Sequence, residues 1–310
     1  MNGHSDTNTK LVLIGGTGGL GNEMAPGLRS AQGFDGYVAL VRDETTNWKK
    51  AEALGKQGWT IKSVDFDEMD ELKEALMDAR VVVSTLSGPE LLKTEKRVID
   101  ACRAARVELF VPSQFGVDTT RWTGKFPIFE TKKKILTHAE NRLVPVLKVY
   151  TGIFSDVGFD FLTDIKSMSA TIIGAGDANI SFTKRSDIGL VLARALDDES
   201  YYDRGGELSM EGDNKTWAEA LKIAESIYGR EFKLERLTPQ EALQKEKALL
   251  AKANNNGEDD MASFYRAFAL HLLGEPMRKN PGCDLRRKAK SYGVKMETLE
   301  EAMEHALGGA

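Results

Sequence analysis

Residues 11–21 read Leu-Val-Leu-Ile-Gly-Gly-Thr-Gly-Gly-Leu-Gly, an apolar run followed directly by glycines that include positions 15, 18 and 21. A wholly apolar run that ends at glycine is typical of a parallel β-strand buried on both faces. In a strand–turn–helix unit, one glycine permits the sharp turn and the next lets the backbone approach a pyrophosphate, while the third allows close helix packing. The segment therefore predicts a dinucleotide site at a helix N-terminus, and the alternative is a tight turn that needs glycine only for steric reasons. The residues expected to face the dinucleotide are Gly15, Thr17, Gly18, Gly19, Leu20 and Gly21.

Strand-like and helix-like segments alternate regularly through the first half of the chain. Apolar runs expected as strands cover residues 11–14, 37–41, 60–64, 81–84, 108–111 and 144–149. Helix-like stretches lie between them at residues 22–30, 46–54, 67–79, 91–105 and 132–141. This alternation predicts an α/β fold with a doubly wound parallel sheet, a Rossmann domain. We expect the domain to span residues 10–155, with residues 176–212 contributing late elements.

The rhythm changes after Tyr150, and residues 156–175 and 213–310 are expected to form a smaller, mostly helical substrate-binding cap. Residues 169–174 and 179–183 predict either a hairpin or a pair of short strands, with a helix at 187–196 and a strand at 207–210. Further helices are predicted at residues 217–228, 239–253, 259–273 and 296–306. Residues 1–9 are interpreted as a disordered tail, and residues 254–257 as an exposed loop.

Composition argues against several classes of function. The formal net charge of −5 gives no basic surface for nucleic acid or an anionic membrane. No apolar run approaches the roughly 18 residues that span a bilayer, and the start lacks a signal-peptide pattern, so we expect a cytoplasmic protein. Two distant cysteines and four scattered histidines predict neither a disulfide framework nor a metal site. The expected partner is a small-molecule substrate, with the chain as a monomer or homodimer.

Arg42 ends the second predicted strand, where this fold faces the adenosine ribose. An arginine there can accommodate the 2′-phosphate of NADP through paired hydrogen bonds, so NADPH is the expected cofactor, with Lys49 and Lys50 as candidate helpers. The alternatives are that Arg42 is a solvated charge, or that Asp43 holds the ribose hydroxyls instead. Ligands bind beyond the carboxyl ends of strands in such sheets. The residues expected near the cofactor after the third and fourth strands are Asp65, Phe66, Thr85, Leu86 and Ser87.

Several segments together resemble one known family. The glycine turn, Leu-Val-Arg-Asp at 40–43, Pro-Ser-Gln-Phe-Gly at 112–116 and Phe-Glu-Thr-Lys at 129–132 occur in this order at suitable spacings. Over roughly residues 10–200 the chain is similar to the NmrA-like and isoflavone-reductase-like atypical short-chain dehydrogenases, which include the pinoresinol–lariciresinol and phenylcoumaran reductases. The resemblance implies a Rossmann fold and an NADPH-dependent reduction.

The resemblance also selects a catalytic residue. In that family the proposed catalytic lysine lies thirteen positions before the proline of the sixth strand, and here Lys132 lies thirteen before Pro145. A buried lysine beside the nicotinamide, in contact with the cofactor, can act as an acid or base, or stay cationic and stabilise an oxyanion. From the residues alone, three consecutive lysines on a solvated helix face are the alternative. None of the seven tyrosines has a lysine four residues on, so the usual Tyr-x-x-x-Lys chemistry is not expected.

One position departs from the family pattern. The plant reductases carry an acidic residue where this chain has Gln114, and a neutral amide can neither take a proton nor form an ion pair. We therefore do not expect close agreement in substrate. Gln114 and Phe115 are still expected beside the nicotinamide and the substrate.

The segment after the sixth strand is where chains of this family line the substrate pocket. Tyr150 and Phe154 could stack on an aromatic ring there, or they could be core aromatics. The predicted substrate-binding residues are Gln114, Phe115, Tyr150, Gly152 and Phe154. Asp187 is interpreted as a structural residue near a helix start. The apolar face of residues 261–273 is interpreted as core packing rather than as a cleft wall or dimer surface.

These observations favour an NADPH-dependent reductase of a small aromatic or conjugated metabolite, such as an enone, imine or quinone methide. Lys132 would serve as proton donor, base or anion stabiliser. A non-catalytic NADP(H)-sensing regulator is the first alternative, and the retained Lys132 argues for an enzyme instead. A non-redox isomerase or cyclase on the same fold is the second alternative.

Overall fold

The structure, a computed structural model, describes residues 9–42, 48–122, 125–157, 159, 162–255, 260–274 and 282–308. Residues 1–8 of the predicted tail lie outside the described residues, as do Asp43 and, from the predicted loop, Asn256 and Gly257.

A parallel sheet forms the centre of the first half of the chain. Its central strands, in the spatial order β3-β2-β1-β4-β5, are β1 (Lys10–Ile14), β2 (Gly36–Val41), β3 (Thr60–Ser63), β4 (Ala79–Ser84) and β5 (Leu109–Val111). A bridge between Phe110 and Val146 leads on to β6 (Leu147–Tyr150). β6 in turn pairs in parallel with β11 (Gly206–Ser209). The predicted α/β fold with a parallel sheet is confirmed.

Helices cover both faces of this sheet. They are α1 (Gly19–Leu28), α2 (Trp48–Lys56), α3 (Met69–Ala75), α4 (Leu91–Ala105), α5 (Pro127–Asn141), α6 (Arg185–Ala195) and α7 (Ser200–Arg204). Successive side chains of a strand point to opposite faces. Leu11 and Leu13 of β1 accordingly join a core with α1, α2, α6 and α7, while Val12 and Ile14 join another with α3, α4 and α5. This burial on both sides explains the unbroken apolar run of β1.

The remaining described residues build two short sheets and four helices around a separate core. One sheet has the order β12-β10-β7 and consists of β7 (Ile153–Phe154), β10 (Asn179–Thr183) and β12 (Asp213–Thr216). The other has the order β13-β9-β8 and consists of β8 (Thr163–Asp164), β9 (Ser169–Ile173) and β13 (Lys233–Leu237). The helices are α8 (Trp217–Tyr228), α9 (Pro239–Asn255), α10 (Met261–Leu273) and α11 (Leu299–Gly308).

Several predicted elements differ from those observed. The hairpin is wrong, because β9 and β10 pair with other strands in separate sheets. β13 was not predicted, since its sequence Lys-Leu-Glu-Arg-Leu is largely exposed and shows no apolar alternation. The helix expected over residues 67–79 ends at Ala75, and Asp78 has φ +63° directly before β4. α5 begins five residues earlier than predicted, at Pro127, because proline suits the first turn of a helix. α9 extends through Asn255, two residues into the predicted loop.

Two glycines bring α1 and α6 into close contact. A Cβ atom at Gly27 would lie 2.6 Å from the backbone nitrogen of Leu190, and one at Gly189 would overlap the carbonyl oxygen of Met24. The backbones therefore approach so closely that no larger side chain fits at either position. Asp187, at the start of α6, accepts a hydrogen bond from the backbone N–H of Glu297 at 2.8 Å. This bond ties α6 to the C-terminal segment.

We expect Gly189→Ala to lower the free energy of unfolding by about 1–3 kcal/mol, because the added methyl group forces the two helix backbones apart. Gly55→Ala is the matched control, since a Cβ there would meet its nearest atom, on Ile61, at 3.8 Å. In the control, alanine should leave stability unchanged or raise it by up to about 1 kcal/mol. Urea unfolding of both variants measures this, and equal stabilities would contradict the close contact.

Candidate active site

The glycine turn leaves no room for side chains at two of its positions. Gly15 has φ +82°, which favours glycine, and a Cβ at Gly21 would overlap Gly15 O and lie 2.6 Å from Thr85 Oγ1. Gly18 and Gly19 are exposed, while Thr17 and Leu20 are half-buried. No side chain caps the start of α1, and its first turn carries no acidic residue. The first N–H groups of this helix can therefore receive an anionic group.

Thr85 locks the turn to the neighbouring strand. Its hydroxyl donates a hydrogen bond to the Ile14 carbonyl at 2.9 Å, and the side chain is 7% exposed. Thr85 therefore packs against the glycine turn and ties it to the end of β1. Of the two other residues predicted in this segment, Leu86 is half-buried and Ser87 is exposed.

Basic side chains gather beyond the ends of β2 and β3. Arg42 is exposed directly after β2, as are Lys49 and Lys50 on α2. A hydrogen bond from Lys93, and the positive charges of Lys93, Arg97 and Arg42, lower the pKa of Asp67. Three cations, two on α4 and one directly after β2, therefore act on one small region.

The two residues predicted to border the adenine occupy different environments. Asp65 is exposed, and its carboxylate accepts the backbone N–H of Asp67 at 2.8 Å. Phe66 is 8% exposed and packs into the core beneath the sheet. Little of its surface is open to a ligand.

Lys132 is held by the chain that follows β5. Its Nζ donates hydrogen bonds to the carbonyl oxygens of Gln114 and Phe115 at 3.1 and 3.3 Å. In return, the Gln114 side-chain amide donates to the Lys132 carbonyl at 3.2 Å. Burial lowers the pKa of Lys132 to about 8, and the nearby Glu95 opposes this shift. Lys132 is thus a positioned amine with a pKa below the usual lysine value, unlike a lysine on a solvated helix face.

An apolar cavity of about 180 Å³ opens beside this amine. Lys132 is the one charged residue in its wall, as far as the described residues show. Of the predicted substrate residues, Phe115, Gly152 and Phe154 line the cavity. Gln114 and Tyr150 do not, and both are 0% exposed. Gln114 instead braces Lys132, and Tyr150 is a core aromatic.

The opposite wall includes residues that were not predicted as part of the site. They are Trp217 at the start of α8 and Tyr265, Phe268 and Leu272 of α10. The apolar face of residues 261–273 was the available signal, and core packing was the favoured interpretation. Leu272 fits two interpretations of this face, core packing and cleft wall, because it belongs to the core and also lines the cavity.

A buried hydrogen-bond chain fastens α10 behind the cavity. Trp122 Nε1 donates to His271 Nε2 at 3.1 Å, and His271 Nδ1 lies 3.1 Å from Glu246 Oε1 on α9. All three side chains are buried. Because Nε2 accepts the indole hydrogen, Nδ1 carries the ring proton and donates a hydrogen bond to Glu246. The imidazole thereby joins three separate segments.

Among the described residues, no helix is long and apolar enough to cross a membrane. The same part of the chain holds no group of three or more histidine, cysteine, aspartate or glutamate side chains able to bind a metal ion.

The fold and this site define a Rossmann-type α/β protein with a glycine-rich turn between β1 and α1. Residues 7–303 match the model of the NmrA-like family, and the chain belongs to that family. It is 28% identical over 251 residues to isoflavone reductase homolog P3 of Arabidopsis thaliana, covering 76% of this chain and 80% of that protein.

Two solved structures share the fold at 19% identity, each covering 96% of this chain and 99% of the other. One is AtPrR2 with NADP+ and (+)-pinoresinol, with a TM-score of 0.78. The other is the binary complex of leucoanthocyanidin reductase with NADPH from Vitis vinifera, with a TM-score of 0.77.

We expect His271→Phe to lower the free energy of unfolding by about 2–4 kcal/mol, because the Trp122 N–H and the Glu246 carboxyl would be left buried without this partner. The control is His305→Phe, where the exposed imidazole pairs with Glu297. That substitution should change the free energy of unfolding by no more than about 0.5 kcal/mol. Denaturant unfolding of the two variants provides the measurement. Similar losses of unfolding free energy would contradict a stabilising role for the buried hydrogen-bond chain.

Proposed function

We propose that the protein is an NADPH-dependent reductase of a small aromatic, phenylpropanoid-type metabolite. The observation that carries the proposal is the single positioned ammonium group in an aromatic-lined apolar cavity. The relatives support it, since one is named an isoflavone reductase homolog and another a leucoanthocyanidin reductase, and AtPrR2 was solved with (+)-pinoresinol.

The glycine turn fits a dinucleotide. Side chains are excluded at Gly15 and Gly21, and the uncapped start of α1 offers N–H groups to a pyrophosphate. Arg42, exposed directly after β2, would meet the 2′-phosphate, with which a guanidinium can form paired hydrogen bonds. When bound, NADPH supplies a hydride for an electron-poor carbon of an enone, imine or quinone methide.

Lys132 completes the reduction by handling the proton. Hydride addition leaves a negative charge on the acceptor, which the Lys132 ammonium group neutralises by donating a proton from Nζ. The carbonyls of Gln114 and Phe115 orient Nζ, and the apolar wall excludes water from the acceptor. The products are the reduced metabolite and NADP+, and the lysine regains its proton from solvent.

We expect Lys132→Met to lower kcat/KM by about 10²–10⁴-fold, the usual contribution of a general acid. In the unmodified enzyme the rate should fall as pH rises through about 8, since deprotonation removes the donor. Steady-state NADPH oxidation with a panel of conjugated aromatic acceptors measures both effects. Lys134→Met, at an exposed lysine of the same helix, is the control.

Full turnover in Lys132→Met would exclude the catalytic assignment. NADPH binding without turnover of any acceptor by the unmodified protein would favour the sensing regulator.

We expect Arg42→Ala to raise the Kd for NADPH by about 10–100-fold, the magnitude of charge-assisted hydrogen bonds to one phosphate. NADH lacks the 2′-phosphate and serves as the control ligand, so its Kd should change little. Calorimetric titration with both cofactors tests this, and equal effects would remove Arg42 from the 2′-phosphate site.

A further inference from the structure

Glu95 is a carboxylate buried in the sheet domain, on the first half of α4. It is 0% exposed, although glutamate is seldom fully buried without a partner. Its Oε1 accepts hydrogen bonds from the Ser84 hydroxyl at 2.6 Å and from the Ser113 N–H at 3.3 Å. Its Oε2 is buried and has no hydrogen-bond partner among the described residues. Hydrogen bonds therefore stabilise only one of the two carboxylate oxygens of this buried group among the described residues.

The two hydrogen-bond donors place Glu95 beside the proposed catalytic machinery. Ser84 is the last residue of β4, immediately before the cofactor segment at Thr85. Ser113 immediately precedes Gln114 and Phe115, whose carbonyls hold Lys132 Nζ. Glu95 and Lys132 thus both form hydrogen bonds with the backbone of the same short segment after β5.

Electrostatics links the two side chains directly. Burial raises the pKa of Glu95 to about 7, while hydrogen bonds from Ser84 and Ser113 and the charge of Lys132 pull it down. Glu95 in turn raises the pKa of Lys132 against the effect of burial. On its own helix Glu95 faces Cys102, whose thiol stays neutral because burial and then Glu95 raise its pKa. β4 and β5 contribute the serine hydroxyl and the backbone amide.

We propose that Glu95 is a positioning residue for the reduction: its carboxylate keeps Lys132 protonated at neutral pH and, through Ser113, fixes the carbonyls that aim the ammonium group. The assignment of a proton-donating role to Lys132 rests on the proposed function, whereas the electrostatic link does not. Gln114 carries no charge, so Glu95 supplies the negative charge that acts on Lys132.

Glu95→Gln separates charge from shape. The amide oxygen can still accept from Ser84 and Ser113, so a purely structural role would survive the change. Loss of the charge should lower, by about one unit, the pH at which kcat/KM falls. This is the low end of the pKa shift caused by a close opposite charge. Activity should then be about tenfold lower than in the unmodified enzyme at pH 9 and within about twofold at pH 6, with KM for the acceptor unchanged. Glu140→Gln, at an exposed glutamate on the helix of Lys132, is the control.

A second measurement works without turnover. Lysines of the full-length protein are ¹³C-methylated, and the Lys132 signal, assigned by its loss in Lys132→Met, is titrated by NMR in the unmodified protein and in Glu95→Gln. A downward shift of the Lys132 titration in the variant supports the proposal even if no acceptor is found. Superimposable titrations or superimposable pH profiles would overturn it.

If Glu95→Gln does not fold, Ser84→Ala replaces it. Removing this hydroxyl takes away a hydrogen bond that favours the charged carboxylate, so the pKa of Glu95 should rise. Less negative charge then acts on Lys132, and its titration should shift downward as in Glu95→Gln, but by a smaller amount. An unchanged Lys132 titration in Ser84→Ala would likewise overturn the proposal.

Discussion

The contact between the glycine turn and Thr85 is the constraint on which the rest of the molecule depends. Gly15 and Gly21 have no room for a side chain because the Thr85 hydroxyl stands beside them, and the same hydroxyl binds the end of β1. This contact sets where α1 leaves the sheet. From there, α1 meets α6 at glycines on both helices, and α6 carries Arg185, which donates to the Gly19 carbonyl at 3.0 Å and pairs with Asp156 at 2.8 Å. A chain of close approaches therefore runs from the nucleotide loop to the late helices.

A second junction connects the end of β5 to the cavity. The Gly116 carbonyl accepts the N–H groups of both Thr151 and Gly152, at 2.8 and 3.0 Å. Gly152 has φ +68°, and a Cβ there would overlap the Ser181 carbonyl, so the chain after β6 turns in the one way that glycine permits. Because residues 113–116 also hold Lys132 and Glu95, the amine, the carboxylate and the cavity wall share one short piece of backbone. This sharing explains how a lysine in a run of three becomes a positioned group.

The sequence predicted what depends on local pattern. Strands buried on both faces are continuous apolar runs, and the nucleotide loop needs glycine at fixed spacing, so β1 and its turn could be recognised directly. β13 could not, since it gains its structure by pairing with β9, and its polar residues carry no sign of that partner. Glu95 looks like any charge on an amphipathic helix until the fold places it against Ser84 and Ser113. The packing of α10 illustrates the same limit, because an apolar helix face is alike in sequence whether it meets side chains or a cavity.

The cavity draws its walls from different parts of the molecule, and this division bears on how such proteins diversify. The amine and its supports belong to the segment after β5 and to α5, while Phe268 and Leu272 belong to a core that α8 shares with Phe129 of α5. The glycine turn packs on another core altogether, with α6. Exchange of aromatic residues on α10 can therefore remodel the shape of the cavity while the glycine turn keeps its geometry. A lineage with this architecture can change what the cavity admits through substitutions near the C-terminus and retain the glycine turn unchanged.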